Sequence, residues 1–256
     1  MRLTIRLEPA SGSALLDGQF PRYFHAAIYN SLGRELADRV HAEGYKDGSR
    51  SLKMFVFSDV LTERRPKPEG KGLRFDGPAS VVVASPVHEI VDSLATSLLH
   101  ANQIRIGREL FNILSIHAED SAVDGDCIDV HSLSPIVTYS TLLRPEGGKY
   151  TCYYQPGERE FQRLVAANMA RKYRVLHGRD PARGVEVEVL RLGRMVIREF
   201  KETVIKGWHC QLRLHGEKNL LKLALDAGLG SKNPQGWGCV GLTSRTDLVL
   251  DESASQ

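Results

Sequence analysis

The sequence predicts an α+β fold of two tandem ferredoxin-like units, each βαββαβ, with a glycine-rich loop close to the C-terminus. Three observations predict it. Strand-like alternation and helix-like periodicity follow one another in the same order twice along the chain. An acidic, glycine-containing stretch at 119–126 separates the two runs, which sets the domains at 1–122 and 123–256. The segment Gly228-Leu229-Gly230-Ser231-Lys232-Asn233-Pro234-Gln235-Gly236-Trp237-Gly238 lies between the last helix-like run and the last strand-like run.

In the first half, residues 3–7 alternate polar and apolar as a strand does. Phe24, Ala27, Ile28, Leu32, Leu36 and Val40 recur at helical spacing, which predicts a helix over 21–40. Residues 53–60 read as a strand and lead into a basic hairpin loop. Strands are expected at 73–75 and 80–84. A helix over 86–100 starts at Ser85, with Pro86 at the first helical position, where a missing N–H costs nothing. A hairpin of 103–106 and 110–118 closes the unit. In the second half, 127–130, 136–140 and 150–154 read as strands and 158–176 as an amphipathic helix. A hairpin is expected over 185–192 and 195–205, then a strand at 208–215, a helix at 218–227 and a strand at 238–242. Two sheets side by side leave a groove suited to an extended ligand.

The 256 residues are 42% hydrophobic, enough for one large or two small domains. No apolar run approaches the roughly 20 residues that span a bilayer. The N-terminus reads as a strand rather than a signal peptide, so a cytoplasmic protein without a membrane partner is expected. Cys127, Cys152, Cys210 and Cys239 are scattered and form no Cys-x-x-Cys, which indicates neither a zinc ribbon nor a disulfide framework. No His-Glu-x-x-His and no cofactor fingerprint occurs, so neither metal nor cofactor is expected.

Net charge is only +3, but the basic residues gather. Arg64, Arg65, Lys67 and Lys71 crowd one loop; Arg171, Lys172, Arg174 and Arg179 follow a helix; Arg183, Arg191, Arg194, Arg198 and Lys201 come next. Such clusters suit a phosphate-tracking surface, and equally a solvated face. In the glycine loop, Gly228, Gly230, Gly236 and Gly238 permit positive φ and close approach of a ligand. Lys232 stands at its centre and Asn233-Pro234 forces a turn, so backbone N–H groups and one cation face an anion. The order helix, loop, strand is not that of a P-loop, and a helix C-cap followed by a tight turn fits the same residues.

The chain resembles a known family at this point. Tandem ferredoxin-like halves with a C-terminal Gly-h-Gly-x5-Gly-h-Gly loop are similar to the repeat-associated RNA-binding superfamily of CRISPR systems. Within it, the chain most resembles the repeat-processing endoribonucleases of the Cas-six family. The likeness runs through Met1-Arg2-Leu3-Thr4-Ile5-Arg6-Leu7, Ala27-Ile28-Tyr29-Asn30-Ser31-Leu32, Lys53-Met54-Phe55-Val56-Phe57-Ser58 and Leu133-Ser134-Pro135-Ile136 to the glycine loop. It implies metal-independent cutting of precursor CRISPR RNA within its repeats, leaving 5′-hydroxyl and 2′,3′-cyclic phosphate ends. It implies catalysis by Tyr29, His41 and Lys53. RNA would be held by Gly228, Gly230, Ser231, Lys232, Asn233, Gly236 and Gly238, with Arg64, Arg65 and Arg194 on the phosphate track. CRISPR repeat RNA is the implied partner; other CRISPR effector subunits and a homodimer stay open.

The chemistry suits these residue types. The 2′-hydroxyl must lose a proton, the leaving 5′-oxygen must gain one, and charge on phosphorus must be stabilised. Histidine titrates near neutrality, lysine stabilises charge, and a tyrosine hydroxyl orients a neighbouring hydroxyl. On one regular helix Tyr29 and His41 would point about 120° apart; Gly44 and Gly48 end the helix soon after His41, which leaves room for a bend, and the sequence does not place Tyr29, His41 and Lys53 together. His25 shares the helix and competes with His41 for the role. Two other readings remain: a catalytically inactive CRISPR RNA-binding subunit, and a ferredoxin-like enzyme or sensor unrelated to RNA.

Overall fold

The computed structural model describes residues 1–48, 50–200 and 203–243. The first half contains β1 (Arg2–Pro9), β2 (Ser13–Asp17), α1 (Phe20–Ser31), α2 (Arg34–Asp38), a π-helical turn (Arg39–Glu43), β3 (Tyr45–Asp47) and β4 (Arg50–Leu52). It continues through β5 (Val56–Phe57), β6 (Leu61–Thr62), β7 (Lys67–Glu69), β8 (Gly72–Asp76), β9 (Ala79–Ala84), α3 (His88–Ala101), β10 (Gln103–Ile106) and β11 (Glu109–Glu119). The second half contains β12 (Cys127–Ser132), β13 (Tyr139–Leu143), β14 (Lys149–Tyr153), α4 (Arg159–His177), β15 (Glu186–Phe200), β16 (Thr203–His215), α5 (Lys218–Ala227) and β17 (Val240–Leu242).

Each half is ferredoxin-like. The first sheet runs β10-β11-β1-β9-β5, with β6 also on β9, and the second runs β15-β16-β12-β17. In both, the opening strand lies between the third and the last of the unit. Alternation explains the burial. Leu3 and Ile5 face Val83 and Val81 across the β1–β9 ladder, and all four are fully buried against Phe24, Ile28, Ile90 and Leu94 of α1 and α3. In the second sheet, Ile128 and Val130 face Leu214 and Leu212 beneath Phe161, Val165 and Met169 of α4 and Leu220 and Leu221 of α5.

The two halves meet through apolar and polar contacts. Val56, Val82 and Ala84 of the first sheet pack with Cys239 of the second half. Ser134 Oγ donates to Phe57 O at 3.2 Å, the Asp59 N–H donates to Leu133 O at 3.0 Å, and the Arg2 guanidinium donates to Val240 O. Arg198 Nη2 reaches both oxygens of Asp59, at 2.8 and 2.7 Å.

Several expected elements take a different form. The helix expected over 21–40 breaks after Ser31, resumes at Arg34 and ends in the π turn. The apolar period runs through the break because Leu32, Leu36 and Val40 are all buried in the same core. The strand expected over 53–60 shrinks to Val56–Phe57, since Met54 takes φ 53 and interrupts extended backbone. Residues 73–75 leave the main sheet for a three-stranded one, β2-β8-β7. Ser85 does not cap α3, whose N-cap is Val87; its hydroxyl instead accepts from the Val87 N–H and donates to Met54 O. The hairpin expected to turn between 192 and 195 is a single strand there, and 203–215 is one continuous partner. Gly193 marks a register shift, where a Cβ would stand 2.7 Å from His209 O. Lys201 lies outside the described residues. Among the described residues no helix is long and apolar enough to cross a membrane.

Candidate functional site

The broken helix shapes the site. At the end of α1 the Leu32 N–H donates to Ile28 O and Tyr29 O, and the extended Leu32 and Gly33 redirect the chain. The π turn then ends at Gly44, φ 58, whose N–H donates to Arg39 O at 3.0 Å. Glycine is required there: a Cβ would lie 2.4 Å from Ser51 Oγ and 2.7 Å from Leu52 O, because the β3–β4 hairpin folds back over this point. That return carries Lys53 to His41.

The result brings Tyr29, His41 and Lys53 together. The Tyr29 and His41 rings meet edge to face with centroids 5.5 Å apart. Lys53 Nζ donates to His41 O at 2.7 Å and to Ser51 Oγ at 3.1 Å. The His25 ring meets Tyr29 at a tilt, centroids 4.9 Å apart, and its Nδ1–H donates to Pro234 O in the glycine loop at 2.5 Å. His41 is exposed, while Tyr29 and Lys53 are partly covered. Burial pushes the Tyr29 hydroxyl up to about 12, so it carries its proton at neutral pH, and burial lowers the Lys53 ammonium below its ordinary value.

These side chains line a cleft of about 940 Å³ between the halves. The cleft is also lined by Arg163, Asn168 and Arg171 of α4 and by Ser231 and Lys232 of the glycine loop. Lys232 holds left-handed backbone, φ 64, with its Nζ 5.5 Å from the centre of the Tyr139 ring, and burial lowers its pKa. The walls are tied across the cleft: Asp47 in β3 pairs with Arg171 at 3.0 Å and Arg174 at 3.4 Å on α4. Among the described residues, no group of three or more His, Cys, Asp or Glu is placed to hold a metal ion.

The glycines themselves face inward. Gly228, Gly230, Gly236 and Gly238 are all buried. A Cβ on Gly230 would stand 2.4 Å from Val137 O, one on Gly236 2.7 Å from the Phe57 ring, and one on Gly238 2.0 Å from Leu229 O. What comes close is the chain's own backbone. Asn233 is also internal, donating through Nδ2 to Leu229 O and Trp237 O at 2.9 Å each. Ser231, Lys232, Pro234 and Gln235 are the partly exposed positions of the loop.

Arg64, Arg65 and Arg194 do not line this cleft. Arg64 and Arg65 are exposed beyond β6, and Arg194 is exposed on β15. Sequence reasoning passed over Asn168 and read Lys172 only as one member of a basic cluster; both are buried and both line the cleft. Their signal was present: they fall on the buried stripe Phe161, Val165, Met169 and Tyr173, where a polar residue needs a reason.

The C-terminal family model of CRISPR associated protein Cas6 matches residues 118–242. The chain is 27% identical over 255 residues to the CRISPR-associated endoribonuclease Cas6 of Pyrococcus furiosus, spanning 94% of this chain and 89% of that protein. It is 25% identical over 244 residues to the CRISPR-associated endoribonuclease Cas6 1 of Methanocaldococcus jannaschii, spanning 94% and 92%. A solved structure of a Cas6-related gene product from Pyrococcus furiosus superposes with a TM-score of 0.82 at 20% identity, over 96% of this chain and 99% of that one, and at that identity the likeness speaks for the fold.

Proposed function

Because the chain belongs to the Cas6 family, we propose that it is an endoribonuclease that cuts precursor CRISPR RNA within its repeats. The observation that carries this reading is the convergence of Tyr29, His41 and Lys53 in one cleft that Ser231 and Lys232 also line. RNA lies along the cleft with its scissile phosphate beside His41. The ribose 2′-oxygen attacks phosphorus, the bond from phosphorus to the 5′-oxygen breaks, and a 2′,3′-cyclic phosphate and a 5′-hydroxyl form. His41 handles a proton at one end of this exchange, which asks for a group titrating near neutrality. Tyr29, protonated and 5.5 Å from the His41 ring centre to centre, orients the attacking hydroxyl. Lys53 and Lys232, which line the same cleft, offset the charge gathering on the phosphoryl oxygens. Arg50, Arg163 and Arg171 extend the positive lining on which backbone phosphates settle.

Incubation of the protein with a repeat-containing transcript in excess EDTA tests this reading. The expected result is cutting at one position in the repeat, with end groups that resist phosphatase until the cyclic phosphate is opened. Cutting that stops on chelation and returns with magnesium would overturn the mechanism. Tight binding of the transcript with no cutting would point to a guide-RNA-holding subunit instead.

A further inference from the structure

Helix α5 ends without the usual backbone closure. A helix leaves its last carbonyls unpaired, and most are closed by a backbone N–H from the residues just beyond. In α1, α3 and α4 the C-cap N–H makes that bond, to Ile28 and Tyr29, to Leu98 and to Arg174. No such bond closes α5, because Gly228 at φ 71, ψ 176 turns the chain straight into the glycine loop. The carbonyls are met by a side chain from another helix. Lys172 of α4, only 3% exposed, places Nζ 2.9 Å from Ala227 O and 2.7 Å from Gly228 O. Three residues later in the chain the loop turns Ser231 toward the cleft, and Lys232 follows it.

We propose that Lys172 is a positioning residue of the RNA-cutting site: it clamps the end of α5 to α4 and thereby fixes Ser231 and Lys232 in the cleft that His41 lines. The inference rests on the functional reading above. Charge and geometry both favour a lysine here. The carbonyl end of a helix carries partial negative charge, which favours a cation. An amine keeps at least two N–H donors whether or not it is protonated, so both carbonyls are served in either state. The rest of the loop is held by Leu229 N–H to Gly238 O and Ser231 N–H to Val137 O, at 2.8 Å each, and by Gly238 N–H to Pro135 O at 2.8 Å. The first of these ties the start of the loop to its far end, and the others hold its middle and far end to the 135–137 segment. Among the described side chains, Lys172 alone bonds the carbonyls of Ala227 and Gly228, on either side of the point where the helix becomes loop.

The test uses Lys172→Met, which keeps the length of the side chain and removes its donors. Amide hydrogen exchange without RNA reads the clamp directly. The expected result is faster exchange at Leu229 and Ser231, with the amides in the middle of α4 unchanged. Repeat-RNA affinity then reads the positioning role through a double-mutant cycle with Lys232→Ala. The expected result is that Lys172→Met weakens binding about as much as Lys232→Ala, and that the double variant is hardly weaker than either one, because a displaced Lys232 has little left to lose. If Lys172→Met does not fold, Lys172→Gln takes the same measurements, since it keeps an amide donor on a shorter arm. Unchanged loop exchange, or losses that simply add, would overturn the proposal. Wild-type protein that bound no repeat RNA would overturn the functional reading instead, and loop exchange would then decide the clamp by itself.

Discussion

The Lys53 ammonium bonds the main-chain oxygen of His41 at 2.7 Å, so the cation and the imidazole belong to one hydrogen-bonded turn. The bond spares the ring. Truncating His41 therefore leaves Lys53 in place, whereas truncating Lys53 loosens the backbone that carries His41.

That asymmetry makes His41→Ala the informative variant. Single-turnover cleavage of repeat RNA is expected to fall about 10²–10⁴-fold, the usual worth of a general acid or base, with affinity and melting temperature near wild type because His41 is exposed. His25→Ala is expected to cut within about tenfold of wild type but to melt earlier, since it loses the bond to Pro234 O, worth about 1 kcal/mol. Quench-flow rates at saturating protein decide it. A dead His25→Ala beside a competent His41→Ala would exchange the two roles.

Lys232→Ala is expected to weaken RNA binding across different repeat sequences, because a phosphate contact carries no base information. The slope of log affinity against log salt should shrink by about one. Fluorescence anisotropy at several salt concentrations measures it. An unchanged slope would leave Lys232 as packing on Tyr139 and nothing more.

Gly238 and Gly178 both hold positive φ, 77 and 68, but only Gly238 is crowded: its Cβ would lie 2.0 Å from Leu229 O, while Gly178 has nothing within 4 Å. Gly178→Ala should cost about 1–2 kcal/mol from backbone conformation alone. Gly238→Ala should cost several kcal/mol, since backbone must move as well. Urea midpoints compare them, and equal losses would show that the loop yields at little cost.

Lys172 gives a pH prediction with a definite sign. Burial lowers its ammonium to about 7 in the folded protein, against an ordinary 10.5. Between those values the unfolded chain holds more protons, so wild type gains stability relative to Lys172→Met as pH rises from 7 to 10. Below 7 the difference is flat. The gain is at most about 1.4 kcal/mol per pH unit. Urea unfolding of both proteins at pH 6, 7.5 and 9 checks it, and a difference independent of pH would mean the amine is charged throughout.

The halves and their order were legible because alternation and helical spacing are local. The helix expected over 218–227 is α5 to the residue, since its apolar stripe ends at a glycine. Breaks hidden by a continuous period were not legible. Leu32, Leu36 and Val40 keep one spacing across two bends, so the sequence left room for a bend but did not say where the chain turns to bring Tyr29 to His41. Glycine was ambiguous in the sequence at two places for the same reason. Gly193 resembled a turn, and the loop glycines resembled a ligand cradle, yet at each the close neighbour is the chain itself. Charge clusters gave composition without direction, which is why Arg64, Arg65 and Arg194 stand away from the cleft while Arg50 and Arg163, outside any cluster, line it.

The strand order has a consequence for biosynthesis. β1 sits inside its sheet between β9 and β11, and β12 sits inside its own between β16 and β17. Each opening strand must wait for the last strand of its unit to be translated before its ladders are complete. His41 and Lys53 leave the ribosome early, and Ser231 and Lys232 leave it nearly two hundred residues later, just ahead of β17. A nascent chain thus carries one jaw of the cleft long before the other. Premature termination between Glu119 and Gly228 would release a protein whose first unit is whole and whose proposed cutting site lacks Ser231 and Lys232.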